Sequence, residues 1–170
     1  MAPHISFRTR HVRPADPSLP ALALQVTHLI DSYMLWVGTT DETAEEVYKA
    51  PLQGNLARDW ACAMPARDLN MNIPPAATSL FRTSSSDAAL SMAQRLARRF
   101  KKQIFLSIDL PPAFDSMGQG AKLIFAVEKA VVDMLKEMEQ GPHMTQPSRA
   151  KGYEAQSAAA PTHRRPWLRG

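Results

Sequence analysis

The groups in this chain that could carry chemistry are its histidines, its one cysteine, a run of hydroxyls and a cluster of cations. Of five histidines, His4, His11, His143 and His163 lie in the terminal segments, which leaves His28 alone in the patterned region. A single histidine on a strand is far more often a surface or core residue than a ligand or a base, because catalysis needs convergent polar groups. Cys62 has neither a CxxC partner nor metal-ligand spacing, so a small packing residue is expected there. The run Thr83-Ser84-Ser85-Ser86-Asp87 stands before a helical pattern, where a phosphate could sit on the helix N-terminus. It lacks the glycines that let a backbone curl round phosphate, and no Gly-Lys-Ser/Thr follows. Helix capping by Ser85 or Ser86 is the expected role. Arg95, Arg98, Arg99, Lys101 and Lys102 form the basic cluster within the domain. Such cations can contact nucleic-acid phosphates, but the aromatic among them, Phe100, belongs to an apolar stripe and not to a stacking platform. A solvated helix end is therefore expected, followed by a docking patch for an acidic protein surface, with a nucleic-acid-binding module as the alternative function. The acidic stretch Asp41, Glu42, Glu45, Glu46 reads as a solvated loop. No catalytic residue, metal or cofactor is expected, and the chain is not read as an enzyme.

The elements that would position these residues follow from hydrophobic period. Ile5 and Phe7 alternate with polar neighbours as a short first strand, closed off by a proline-rich link through Pro20. Residues 21–30 repeat with period two through Leu22, Leu24, Val26 and Ile30, which predicts a strand. Asp31-Ser32 then serves as a tight turn into the aromatic, β-rich run Tyr33 to Val37, giving a hairpin. Residues 39–54 are polar, acidic and interrupted by Pro51, and read as a loop with a helical turn around Glu42–Lys49. Strands are predicted over Leu56–Met64 and Ala76–Phe81, and another over Gln103–Leu110, with Ile104, Leu106 and Ile108 on one face and Phe105 on the other. Between the last two, Ala89, Met92, Ala93, Leu96, Ala97 and Phe100 recur at helical spacing, with cations in the last turn where the helix dipole favours them. A final helix over about 121–140 carries Ile124, Val127, Val131, Met134, Leu135 and Met138 and stops at Gly141. The fold class is α+β: about six mostly antiparallel strands with two helices on one sheet face.

Composition sets the outer limits. A chain of 170 residues with a hydrophobic share of 45% makes one domain with a modest core, here 1–140, followed by a disordered tail over 141–170 rich in proline, glycine and alanine. The formal charge of +4 and pI near 9.5 come largely from Arg8, Arg10 and Arg13 at one end and Arg149, Lys151, Arg164, Arg165 and Arg169 at the other. Charge in terminal segments is weak grounds for a nucleic-acid partner, and none is expected. No apolar run is long enough to span a membrane, so no membrane partner is expected either. The first 15 residues are Arg-rich and acid-free like a mitochondrial presequence, yet Pro3, Pro14, Pro17 and Pro20 break any long amphipathic helix. A lone cysteine suits a reducing compartment, so the cytoplasm is expected, with the nucleus also open.

One strand poses a surface problem. In Tyr33–Val37 both faces are apolar, with Tyr33, Leu35 and Val37 on one side and Met34 and Trp36 on the other. Such a strand must be buried on both sides, whereas two helices cover only one face of a sheet. Either a partner chain packs on the second face, or the 39–54 loop or the tail covers it, or the strand lies at the sheet's centre. A partner sheet is the favoured reading, burying on the order of 2,000 Å2 if obligate. One of the two residue sets would then meet the partner.

Three strings in register resemble a known family. Asp31-Ser32-Tyr33-Met34-Leu35-Trp36-Val37-Gly38-Thr39-Thr40 resembles the Asp-Ser-x-x-Leu-Trp-Val-Gly-x-Thr stretch of the proteasome assembly chaperone 4 family. Ala77-Thr78-Ser79-Leu80 is similar to that family's short strand before its helix. Met92-Ala93-Gln94-Arg95-Leu96-Ala97-Arg98-Arg99 and Lys102-Gln103-Ile104-Phe105-Leu106-Ser107 are similar to its helix end and following strand. The resemblance spans roughly residues 21–139 and omits the proline-rich link, the 39–54 loop and the tail. It implies a non-catalytic protein that pairs with proteasome assembly chaperone 3. It further implies that this heterodimer holds α subunits during early α-ring formation of the proteasome core particle and leaves before maturation. Sheets packed between helices are the implied fold, and no catalytic residue is there to transfer.

Overall fold

Leu22, Leu24 and Val26 alternate with Ala23, Gln25 and Thr27, and this alternation turns one side of the first hairpin toward the helices. In the computed structural model, which describes residues 5–66, 73–82 and 87–140, the strands are β1 (Ser6–Val12), β2 (Leu22–His28), β3 (Ser32–Thr39), β4 (Asp59–Met64), β5 (Ala76–Phe81) and β6 (Gln103–Asp109). A 3-10 turn at Val47–Lys49 runs into one helical turn, α1 (Ala50–Gln53). The long helices are α2 (Ala88–Phe100) and α4 (Gly120–Glu139), with a further single turn, α3 (Ala113–Ser116), between β6 and α4. The strands form one sheet in the order β1-β2-β3-β6-β4-β5, antiparallel throughout except for the parallel pair β3–β6. β5 and β6 run the same way on either side of β4, which requires the crossover that α2 supplies, and that crossover seats β6 between β4 and the parallel strand β3.

Both helices lie on one face, as the α+β reading requires. Leu22, Leu24, Val26, Tyr33, Leu35, Val37, Ala61, Ala63, Ile104, Leu106 and Ile108 pack against the buried stripes of α2 and α4 in one core. Every stripe residue expected on α2 is buried; on α4, Leu123 and Ala130 join Val127, Val131, Met134 and Leu135, while Ile124 and Met138 flank the core half-buried. Each large aliphatic side chain fully buried here contributes about 1.5–3 kcal/mol.

Boundaries differ where local chemistry overrides period. The strand predicted to Ile30 ends at His28, and Ile30 is exposed in a three-residue connection closed by the Leu29 N–H donating to the Ser32 carbonyl at 2.9 Å. The strand predicted from Leu56 begins at Asp59, because Leu56 and Arg58 are instead tied to the β6 region through Ser107, Asp109 and the Leu110 carbonyl. Pro51 does not break a turn but occupies the first positions of α1, where its missing N–H is no loss.

The Ser85 and Ser86 caps and the 141–170 tail lie outside the described residues. Within the described residues, α2 is capped by a side chain from another element. Asp59, almost fully buried at the start of β4, accepts the Ala89 N–H on Oδ2 at 3.1 Å. This carboxylate satisfies a helix-end donor and sits at the positive end of the dipole. Asp59→Ala is expected to lower stability by about 1–3 kcal/mol in chemical denaturation, and Asp59→Asn, which keeps an acceptor oxygen, by clearly less.

Candidate interaction surface

The second face of the sheet is built in rows, because directly paired residues point the same way. One row runs Phe7, Thr27, Met34, Phe105, Cys62, Thr78; the next runs Gln25, Trp36, Ser107, Trp60. The two rows meet different fates.

The Trp36 row is covered from within by residues 40–58, which fold back as a flap. Trp36 is only 6% exposed and packs with Ala23, Val47 and Ala50 in a small separate cluster. Two glycines make room for its indole: a Cβ at Gly38 would lie 2.6 Å, and one at Gly54 2.3 Å, from Trp36 Cζ2. Polar bonds pin the flap's far end. Ser107 Oγ donates to the Leu56 carbonyl at 2.6 Å, Asp109 accepts the Asn55 N–H, and the Arg58 guanidinium pairs with Asp109 at 3.1 Å while donating to the Leu110 carbonyl at 2.9 Å.

The Phe7 row is only partly covered, with Cys62 buried on it and the larger side chains open in part. Phe7 is 72% exposed, and Met34 and Phe105 keep part of their surface. Of the five residues singled out in the sequence, Tyr33, Leu35 and Val37 are buried beneath the helices, Trp36 lies under the flap, and Met34 alone reaches the surface. The doubly apolar strand is thus explained in large part by its central position and by the flap. Phe105 and Phe7 complete the surface; their signal was an aromatic on the side of the strand opposite the core residues.

The basic cluster divides as well. Arg95 reaches across to α4 and grips Glu128 through Nε and Nη2, both at 2.7 Å, and that bond raises its pKa above the ordinary arginine range. Lys102 folds over Tyr33, donating to its hydroxyl at 3.0 Å, with Glu139 at 3.8 Å. Arg98, Arg99 and Lys101 remain outward-facing, and no ion pair among the described residues engages them. Lys101 holds a left-handed conformation (φ 55°) at the helix C-cap, a place glycine usually takes.

His28 stacks obliquely on Tyr33, with ring centroids 4.9 Å apart, and its Nε2 lies 3.4 Å from Lys102 Nζ. Burial pushes the imidazole pKa below its ordinary 6.5, the Lys102 cation adds to the depression, and Glu139 opposes it. Because the folded value is the lower one, the unfolded chain binds the extra proton. The resulting stability is fully present above about pH 6.5 and is lost as pH falls through the folded-state pKa. Lys102→Met is expected to raise the His28 midpoint, and Glu139→Gln to lower it further, as followed by NMR titration of the ring protons.

In the cleft beside the helix N-termini, Arg58, Asp59 and Asp87 are engaged with other charged groups or with the backbone. A cavity of about 470 Å3 beside the N-terminal ends of α2 and α4 is lined by Arg58, Asp59, Asp87, Pro111 and Phe114, among others. Asp59 caps α2, Asp87 pairs with Arg82 at 3.1 Å, and Arg58 is held by Asp109. Among the described residues no group of three or more His, Cys, Asp or Glu side chains could hold a metal ion, and no helix is long and apolar enough to cross a membrane.

Comparison with known proteins points one way. The family model for proteasome assembly chaperone 4 matches residues 21–110, just over half of the chain. Over 85 residues the chain is 36% identical to proteasome assembly chaperone 4 of Mus musculus and 35% identical to that of Homo sapiens, covering 50% of this chain and 55% of each relative. The chain thus spans about half the length of the curated relatives it matches. Among solved structures it is similar to a chain of a chaperone complex for yeast 20S proteasome assembly, with a TM-score of 0.53 and 19% identity, over 78% of this chain and 95% of that one. At that identity the likeness concerns the fold.

Proposed function

The chain belongs to the proteasome assembly chaperone 4 family, and from that membership we propose that it works without catalysis, as a chaperone for assembly of the proteasome core particle (20S). It pairs with a proteasome assembly chaperone 3-like subunit, and the heterodimer holds α subunits while the α-ring forms. Transient binding of complementary shape and charge is the whole mechanism, with no covalent step. The observation that carries this reading is the partly exposed row on the sheet face opposite α2 and α4, centred on Met34 and Phe105 with the exposed Phe7 at its margin. A second sheet laid on that row would complete the burial that the flap provides only for Trp36. Arg98, Arg99 and Lys101, at the other end of the strands from the flap, offer a docking patch for an acidic surface of a client subunit. The cytoplasm or nucleus is the proposed compartment, where the buried Cys62 thiol stays reduced.

Co-expression with the matching chaperone 3 tests the pairing, and mass spectrometry of a native pull-down tests the client. A stable one-to-one complex, with core-particle α subunits in the eluate, is expected. A chain that stays a soluble monomer beside that partner, with no α subunit captured, would overturn the reading.

A further inference from the structure

The two edges of the sheet are defended unequally. β1 carries Arg8, Arg10 and His11 within seven residues, and Arg10 is tied to Glu137 of α4. β5, at the opposite edge, reads Ala-Ala-Thr-Ser-Leu-Phe with neither charge nor proline, and among the described residues it pairs with β4 alone. Edge strands are ordinarily blunted by charges, prolines or bulges, since a row of unpaired N–H and C=O groups is a template for another chain. The register shift between Trp60 and Ala61 disturbs the Ser79–Phe81 end alone, while Ala76–Thr78 pairs regularly with Met64–Cys62. Apolar side chains stand around this edge: Met64, Ile73, Leu80 and Phe81 are each between 45% and 54% exposed.

From this juxtaposition we propose that the β5 edge is a second docking site, taking an extended, uncharged segment of a partner protein as a seventh strand. Main-chain bonds would supply the affinity, and alternate apolar side chains of the incoming segment would rest on Met64, Leu80 and Phe81. A second copy of this chain is a poorer occupant. Two six-residue edges meeting side by side bury far less than the roughly 1,200–2,000 Å2 of a stable interface. A short segment bound weakly and released easily matches the geometry better. The site uses the backbone of the edge, whereas the pairing proposed above uses the Met34–Phe105 row that ends at Thr78 of β5, and the test below reads the two separately.

The full chain, labelled for NMR, is titrated with a synthetic decapeptide of alternating valine and threonine bearing a lysine at each end. Saturable shifts confined to β5, Met64 and Arg82 are expected, with exchange of β5 amides slowed about tenfold or more. The same peptide N-methylated at alternate residues should do nothing, because it cannot complete the ladder. Leu80→Lys with Phe81→Lys, both at exposed positions, should remove the effect while leaving the rest of the spectrum in place. Three outcomes overturn the site: no binding at millimolar peptide, equal binding of the methylated peptide, or shifts mapping to Met34 and Phe105. Shifts at β5 that grow with protein concentration alone would assign the edge to a second copy and overturn it too.

Discussion

Replacing Met34 and Phe105 together with glutamate is expected to abolish the proposed heterodimer while leaving the domain folded. The two residues are aligned in the parallel register of β3 and β6, so their side chains stand next to each other on the face opposite α2 and α4. Both retain solvent contact in the isolated chain, and a carboxylate at either position stays hydrated there. Beneath a partner sheet the same carboxylates would lose their water with no cation opposite, and would repel each other. An uncompensated buried charge costs about 3–5 kcal/mol, so the pair should weaken association by about a thousandfold or more. Calorimetry against the purified chaperone 3-like subunit measures the loss, and circular dichroism with thermal melting establishes that the fold persists. Phe125→Glu is the control: Phe125 is as exposed as Phe7 but lies on the outer side of α4, away from the proposed interface. A double variant that associates with unchanged affinity would move the interface off this face.

Much of this architecture is legible in the residues, and its gaps have physical causes. Leu22, Leu24 and Val26 reveal their strand, and the α2 stripe its helix, because each shows a clear period against polar neighbours. The sequence suggests a cap at Ser85 or Ser86, outside the described residues; Asp59 supplies one from β4, and no local pattern announces a cap that arrives through tertiary contact. The order of the sheet is hidden for the same reason, since β6 enters between β3 and β4 by a crossover that leaves no mark on its own sequence. Tyr33–Val37 shows both sides of the matter. Its doubly apolar pattern correctly demanded burial on both faces, yet period alone could not say that a polar, acidic segment would fold back over Trp36. Gly38 and Gly54, spaced to admit an indole, are in hindsight the signal for that flap.

Trp36→Ala separates the flap from the interface, and its expected effect falls on stability. The indole is nearly fully buried between β3 and the flap, so its removal leaves a cavity and should lower stability by about 3–5 kcal/mol. Backbone amides at Gly54 and Asn55, which donate to the Ala50 carbonyl and to Asp109, should exchange faster as the flap loosens. Trp36→Phe should be far milder. It keeps most of the packing and removes an Nε1 donor that finds no acceptor among the described residues. Gly54→Val approaches the same state from the other side, because its Cβ would collide with the indole ring and push the flap outward. Met34→Ala reverses the pattern: at a partly exposed position it should change stability by less than about 1 kcal/mol, yet weaken the heterodimer. The contrast follows from the row structure of one sheet face, in which Met34 and Trp36 point the same way but only Trp36 is already covered. If Trp36→Ala melts like the parent and its flap amides exchange no faster, the flap is not seated on the indole, and Trp36 joins Met34 and Phe105 as surface open to a partner.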